Sequence, residues 1–241
     1  MNLNSYKQSS NLQSEIDNQM ICVPIMALDN AEAIKKMSEA APLADLMEVR
    51  LDVMESFDLK EIIQAATKPV IVTYRSKKEG GSGLARYETR VHHLVRAIES
   101  GADFVDVEFS MPQIYRQEIF QAGGTSRLIL SAHFSNKTPP REKLEDTFRK
   151  MTATGADMVK IITYARAPED NLRVLGLIPL ARELGIKIIA FCMGPAGRIS
   201  RIFTVMMGGH LSFASLEEGQ ESASGQIPVR KMKQLLEMLK A

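Results

Sequence analysis

Lys160 interrupts an apolar run, Met158-Val159-Lys160-Ile161-Ile162-Thr163-Tyr164. Alternate residues of a strand share a face, so Lys160 would lie beside Met158 and Ile162. Where both faces of a strand are covered, a lysine ammonium loses its water. Desolvation then favours the neutral amine, a nucleophile able to form an imine with a carbonyl. A lone lysine also has a plainer reading, as a strand-end side chain that snorkels to solvent or pairs with a carboxylate. Its company decides between the two. Glu48, Arg50 and Asp52 share one face of Glu48-Val49-Arg50-Leu51-Asp52-Val53. Arg75 ends a run on the face of Thr73 and Ile71, Asp106 accompanies Glu108, and Ser131 accompanies His133. Nucleophile, acid/base, cation and carboxylate types thus recur late in separate short runs.

The runs read as strands are Met20–Met26, Asp45–Leu51, Val70–Arg75, Phe104–Phe109, Leu128–His133, Met158–Tyr164, Lys187–Met193 and His210–Ser215. Helical patterns alternate with them: Ala31–Ala40, Leu59–Ala66, Glu88–Ser100, Gln113–Gln121, Arg141–Thr154, Asn171–Leu184 and Ile199–Met207, with Val229–Lys240 last. Gly101, Gly155 and Gly185 stand where helix C-caps belong. Strict alternation from residue 20 to the end of this 241-residue chain predicts a single-domain (β/α)8 TIM barrel. The barrel is expected over residues 20–241, after a loosely ordered polar tail at residues 1–19. A doubly wound open sheet is the competitor, weakened because Ala27-Leu28-Asp29, not a glycine-rich dinucleotide fingerprint, follows the first strand.

Net charge is +1, so no global basic field draws in nucleic acid or an anionic membrane. No apolar stretch approaches the roughly 18 residues of a membrane span, and no signal-peptide core opens the chain. Cys22 and Cys192 lie in apolar runs as buried thiols, which suits a cytoplasmic protein better than a disulfide scaffold. A barrel wall packs apolar residues against its helices, so Glu48, Arg50 and Asp52 are expected to point inward. Ions inside a barrel are costly unless they pair and serve a ligand, and barrel sites lie at the carboxyl ends of the strands.

The segments MEVRLD, VTYRSKKEGG, LILSAHFSNKTP, ADMVKIITYA, GRISR and ESASGQIPV occur in this order. Together they resemble the type I 3-dehydroquinate dehydratase family, over about Ile21 to the carboxyl terminus. The resemblance implies a barrel, a homodimer, and dehydration of 3-dehydroquinate to 3-dehydroshikimate in the shikimate pathway, through a lysine imine without metal or cofactor. It makes Lys160 the imine-forming lysine, His133 the general acid/base, and Glu79 the carboxylate orienting that histidine. It further implies that Glu48, Arg50 and Arg75 hold substrate hydroxyls, that Arg201, Ser222 and Gln226 grip the carboxylate side and close a lid, and that Met193 lines the pocket. Ser224 stands where the family commonly has proline, and Phe191 where some members have methionine.

Other conspicuous residues have plain readings. His92, His93 and His210 read as surface or packing histidines, Met206-Met207 as core, and Asp106 and Glu108 as partners of interior arginines. Gly80-Gly81-Ser82-Gly83 reads as a flexible loop rather than a phosphate cradle. Two rival functions are a class I aldolase and an inactive barrel kept as a binding protein. The aldolase's usual phosphate would call for an amide cradle where this chain offers Arg201, Ser222 and Gln226. The inactive barrel would leave a buried lysine unused and costly.

Overall fold

A computed structural model describes residues 20–240, so the tail expected at residues 1–19 lies outside the described residues. Eight strands follow in chain order: β1 (Met20–Ile25), β2 (Leu46–Arg50), β3 (Val70–Thr73), β4 (Phe104–Glu108), β5 (Arg127–Phe134), β6 (Met158–Tyr164), β7 (Lys187–Met193) and β8 (Leu211–Phe213). Each of β1 to β6 pairs parallel with the next, and β1 also pairs with β8, Cys22 opposite Phe213. Across the remaining seam the His210 N–H donates to the Ile188 carbonyl at 2.7 Å. The sheet is a nearly closed (β/α)8 barrel.

The helices are α1 (Asn30–Ala40), α2 (Leu59–Ala65), α3 (Tyr87–Glu99), α4 (Gln113–Gln121), α5 (Arg141–Thr152), α6 (Asp170–Leu175), α7 (Leu177–Glu183), α8 (Arg198–Met206) and α9 (Val229–Lys240). The helix expected over Asn171–Leu184 is two helices, α6 and α7, divided at Gly176. Pro179 has no N–H for the Leu175 carbonyl, and its ring crowds the preceding turn. No helix among the described residues is long and apolar enough to cross a membrane.

Strand alternation sorts the apolar residues into two cores. Outward residues such as Val23, Val49, Val72, Val107, Leu130 and Val159 pack against the helices. Inward residues form a second cluster inside the ring. At the amino ends of β2 to β6 the inward layer is apolar: Leu46, Ile71, Phe104, Ile129 and Met158. Two residues further along, the same strands turn inward Glu48, Thr73, Asp106, Ser131 and Lys160, all buried. Arg50, Glu108 and His133 follow, with Arg75 just past the end of β3. Opposite, β7, β8 and β1 keep Ile189, Phe191, Leu211, Phe213 and Cys22 apolar. The upper barrel is therefore divided into an ionic half and an apolar half.

The register is also pinned from below. Asp45, Asp103 and Asp157, each just ahead of an even-numbered strand, accept the N–H of Ile21, Val70 and Leu128 on the strand before it, each at 2.8 Å. A one-residue slip would turn every inward ion outward, and these bonds oppose it.

Candidate active site

Lys160 stands mid-strand on β6 and is 4% exposed. Its Nζ lies 3.0 Å from Asp106 Oδ2 and 3.3 Å from Glu48 Oε1, and 4.3 Å from the Phe213 ring centre. Its direct ionic contacts are both carboxylates. Burial opposes ionisation of Asp106, but Arg75 and then Lys160 override it and hold that carboxyl well below the usual range.

His133, near the end of β5, pairs with Glu79. Its Nδ1 is 3.0 Å from Glu79 Oε2, and its backbone N–H donates to the same oxygen at 3.1 Å. Ser110 donates to the other oxygen at 2.5 Å. Glu79 is brought in by a single 3-10 turn, Lys77–Glu79. Burial raises the Glu79 carboxyl against the pull of Arg75. Burial, reinforced by Arg75 and Lys160, pulls His133 well below its ordinary value. A neutral imidazole donating Nδ1–H to Glu79 carries its lone pair on Nε2, the form a general base needs.

Arg75 is the hub of the ionic half. It reaches Glu108 at 3.2 Å and donates to Ser131 at 2.9 Å, and it lies 2.8 Å from Asp106 without hydrogen-bond alignment. Arg90, on α3, takes the second oxygen of Glu108 at 2.5 Å and faces the rings of Tyr74 and Tyr87. Arg50 binds Asp52 through two bonds of 2.7 and 2.8 Å. Asp52 also accepts the N–H groups of Arg75 and Ser82. The glycine loop read as flexible is fastened there and closed by Lys77 N–H to the Gly83 carbonyl at 2.9 Å. A Cβ at Gly81 would come within 2.3 Å of the Arg75 carbonyl, so glycine is needed for that close approach.

The apolar half holds one more ion. Arg201, on α8, is 1% exposed and lies 4.6 Å over the Phe191 ring. It donates to the Phe213 and Ser224 carbonyls, each at 3.3 Å, while Nε has no partner. Among the described residues no carboxylate pairs with it. Burial pulls this guanidinium down to about 9, so it is still a cation at neutral pH, but one lacking a counter-ion. Ser222 donates its N–H to Gln226 Oε1 at 2.7 Å, and Gly194 N–H binds the Ser224 carbonyl at 3.0 Å. The first bond closes the segment after β8 on itself, and the second holds it against the end of β7.

The structure brings all ten residues singled out in the sequence to one cleft. Glu48, Arg50, Arg75, Glu79, His133, Lys160, Met193, Arg201, Ser222 and Gln226 all line it. Asp106 and Glu108 pair with interior arginine, and His210 stands at the opposite end beside β8. Sequence reasoning missed Arg90, the lysine contact of Asp106, and the walls formed by Ile162, Phe213 and Ala223. Arg90 had a signal, since it sits on the buried stripe of α3 with Val91, Leu94, Ala97 and Ile98.

A (β/α)8 barrel with a buried lysine and a histidine–carboxylate pair at the carboxyl end of its strands defines an enzyme class equipped for imine and proton-transfer chemistry. The chain belongs to the type I 3-dehydroquinase family, whose model matches residues 21–241. It is 36% identical over 225 residues to the 3-dehydroquinate dehydratase of Methanococcus maripaludis strain S2, covering 91% of this chain and 100% of that one. Among solved structures it is similar to 3-dehydroquinate dehydratase from Geobacillus kaustophilus (TM-score 0.84, 28% identity, 92% and 91% of the two chains). It is also similar to the type I enzyme from Clostridium difficile with covalently modified comenic acid (TM-score 0.83, 27% identity, 92% of each chain).

Proposed function

We propose that this protein dehydrates 3-dehydroquinate to 3-dehydroshikimate, in the shikimate pathway, through an imine on Lys160. One observation carries it: a single cleft holds a buried lysine, a histidine whose environment disfavours its cation, and a buried arginine with no counter-ion among the described residues. The substrate is a β-hydroxy ketone bearing a carboxylate. Its ketone suits the lysine, its α-proton the histidine, and its carboxylate the unpaired arginine.

Attack of Nζ on the ketone and loss of water gives an iminium, an electron sink that acidifies the adjacent carbon. His133 takes that proton at Nε2, leaving an enamine. The imidazolium then gives a proton to the β-hydroxyl, which departs as water, and hydrolysis of the conjugated iminium frees Lys160. Positioned acid/base catalysis of this kind contributes roughly 10²–10⁴-fold. Glu79 holds the imidazole tautomer, Glu48, Arg50 and Arg75 face the ring hydroxyls, and Met193 forms a wall. Arg201, with Ser222 and Gln226, holds the carboxylate, and Arg can do so bidentately.

The test is borohydride trapping. Reduction in the presence of substrate should fix a secondary amine, and peptide mapping should place it on Lys160; an adduct on another lysine, or none, refutes the role. Lys160→Ala should abolish turnover yet still bind an anionic ligand.

We also infer a homodimer in the cytoplasm. Leu172, Ile199 and Phe203, 72%, 51% and 37% exposed, lie on the neighbouring helices α6 and α8 and offer apolar surface to a second copy. Cys22 and Cys192 are free and buried, as suits a reducing compartment. Sedimentation should return twice the chain mass.

A further inference from the structure

We propose that Glu48 carries the protons of imine formation, taking them from the Lys160 ammonium and delivering them to the substrate's carbonyl oxygen. The role rests on Lys160 being the nucleophile proposed above. An ammonium has no lone pair, so a neighbour must accept a proton before the amine can attack. The hydrogen bonds of Lys160 Nζ run to two carboxylates, Asp106 at 3.0 Å and Glu48 at 3.3 Å.

Distance alone favours Asp106, but its surroundings do not. Asp106 also lies 2.8 Å from Arg75 and accepts from Ser131 at 2.6 Å. A proton placed there would cancel its attraction to a second, permanently charged cation. The Asp106 side chain is moreover fully buried, with no surface open to a substrate in the cleft. Glu48 accepts from the Thr73 hydroxyl at 2.9 Å, and Lys160 is its ion-pair partner among the described residues. It lines the cleft beside Lys160. The carboxylate with one fewer cation, facing the substrate, is the better shuttle. Asp106 is left as a fixed counter-charge between Arg75 and Lys160.

The steps balance without an outside acid. First a proton passes from Nζ to a Glu48 oxygen. The nitrogen lone pair then forms the C–N bond while the C=O π pair moves to oxygen, which takes the proton from Glu48. The nitrogen now bears a positive charge and two protons. One of these follows the same route through Glu48 to the hydroxyl, which leaves as water as the nitrogen lone pair forms C=N. Both protons of the departing water come from the ammonium, and Glu48 ends as a carboxylate. His133 stays free for the carbon proton.

The experiment uses His133→Ala as background, where adduct should accumulate without turning over. Rapid quench and mass spectrometry give the rate of adduct formation with 3-dehydroquinate. Adding Glu48→Gln should slow it by about 10²–10⁴-fold at neutral pH, the range for a lost acid/base group. The residual rate should climb with pH as solvent takes over the proton. Affinity for quinate, which has an alcohol in place of the ketone, should fall by far less than that rate, because the amide keeps the size of the carboxyl and can still hydrogen-bond the ring hydroxyls. Glu48→Asp should fall between the two rates. The proposal is overturned if Glu48→Gln forms adduct at the background rate, if its quinate affinity falls as far as its rate, or if Asp106→Asn alone loses adduct formation. Absence of adduct in the wild type would instead bring down the lysine nucleophile itself, and this proposal with it.

Discussion

Replacing Arg201 by alanine should weaken substrate binding far more than it disturbs the fold. The guanidinium is buried and makes two long bonds to backbone carbonyls, both 3.3 Å. A ligand carboxylate would supply the counter-ion it lacks among the described residues. One charge-assisted bond in such a place contributes about 1.5–3 kcal/mol. At 1.4 kcal/mol per factor of ten, that is roughly 10–150-fold in affinity. The Ser224 carbonyl keeps the Gly194 N–H at 3.0 Å, so the segment after β8 loses one of two bonds there rather than both. Turnover can be followed by the ultraviolet absorbance of the conjugated enone. The loss should fall mainly on KM if the arginine holds ground and transition states alike, and partly on kcat if the same grip orients the ring. Arg201→Lys should restore only part of it, because an ammonium cannot match the guanidinium fork. An unchanged kcat/KM in Arg201→Ala would show that the carboxylate is held elsewhere, and the assignment of the apolar half to that end of the substrate would fail.

Three further outcomes follow from the same geometry. His133→Ala should still form the imine but carry it no further, so mass spectrometry should find a substrate-mass adduct that is not converted to product; full activity would exclude His133 as the base. Because burial, Arg75 and Lys160 displace His133 below 6.5, the acid limb of kcat/KM should have its midpoint below that pH. The unfolded chain takes up this proton first as pH falls through 6.5, so His133 subtracts stability from there downward, and a limb centred above 6.5 would contradict the displacement. Arg90→Met should destabilise the barrel by about 3 kcal/mol, the low end for breaking a buried pair, since Glu108 keeps Arg75 and the Ser76 N–H; a denaturation midpoint matching the wild type would show that the Arg90–Glu108 contact carries no such weight.

The strands were legible because a wall covered on both faces demands short continuous apolar runs, and the ions interrupting those runs were visible for the same reason. Alternation correctly turned Glu48, Arg50 and Lys160 inward. What alternation cannot give is who meets whom across the ring. Lys160 lies 54 residues from Asp106 and 112 from Glu48, and their meeting depends on the relative stagger of strands β2, β4 and β6. That stagger is set partly by Asp45, Asp103 and Asp157, whose side chains read locally as ordinary loop residues. Arg90 was overlooked because a helix arginine usually faces water. The helix break at Gly176 follows from Pro179, which interrupts the backbone bonding of a segment whose side chains keep one continuous amphipathic pattern.

The charge arrangement gives the cleft a direction. On the ionic side every cation has a carboxylate: Arg50 has Asp52, Arg90 has Glu108, Arg75 has Asp106 and Glu108, and Lys160 has Glu48 and Asp106. Burying so many ions is close to neutral for stability at best, so their presence is better explained by what they do in the cleft than by what they add to the fold. On the apolar side Arg201 has no carboxylate among the described residues, against the ring of Phe191 and near the end of β8. An anionic substrate therefore gains most by placing its carboxylate there, which turns the rest of its ring toward the ionic half, where the lysine, its proton acceptor and the His133–Glu79 pair stand. Mispairing is discouraged by the same arrangement, because a carboxylate pushed toward Lys160 would meet Glu48 and Asp106 and be repelled. Orientation of the ketone toward the amine thus follows from where the cations are already satisfied and where one is not.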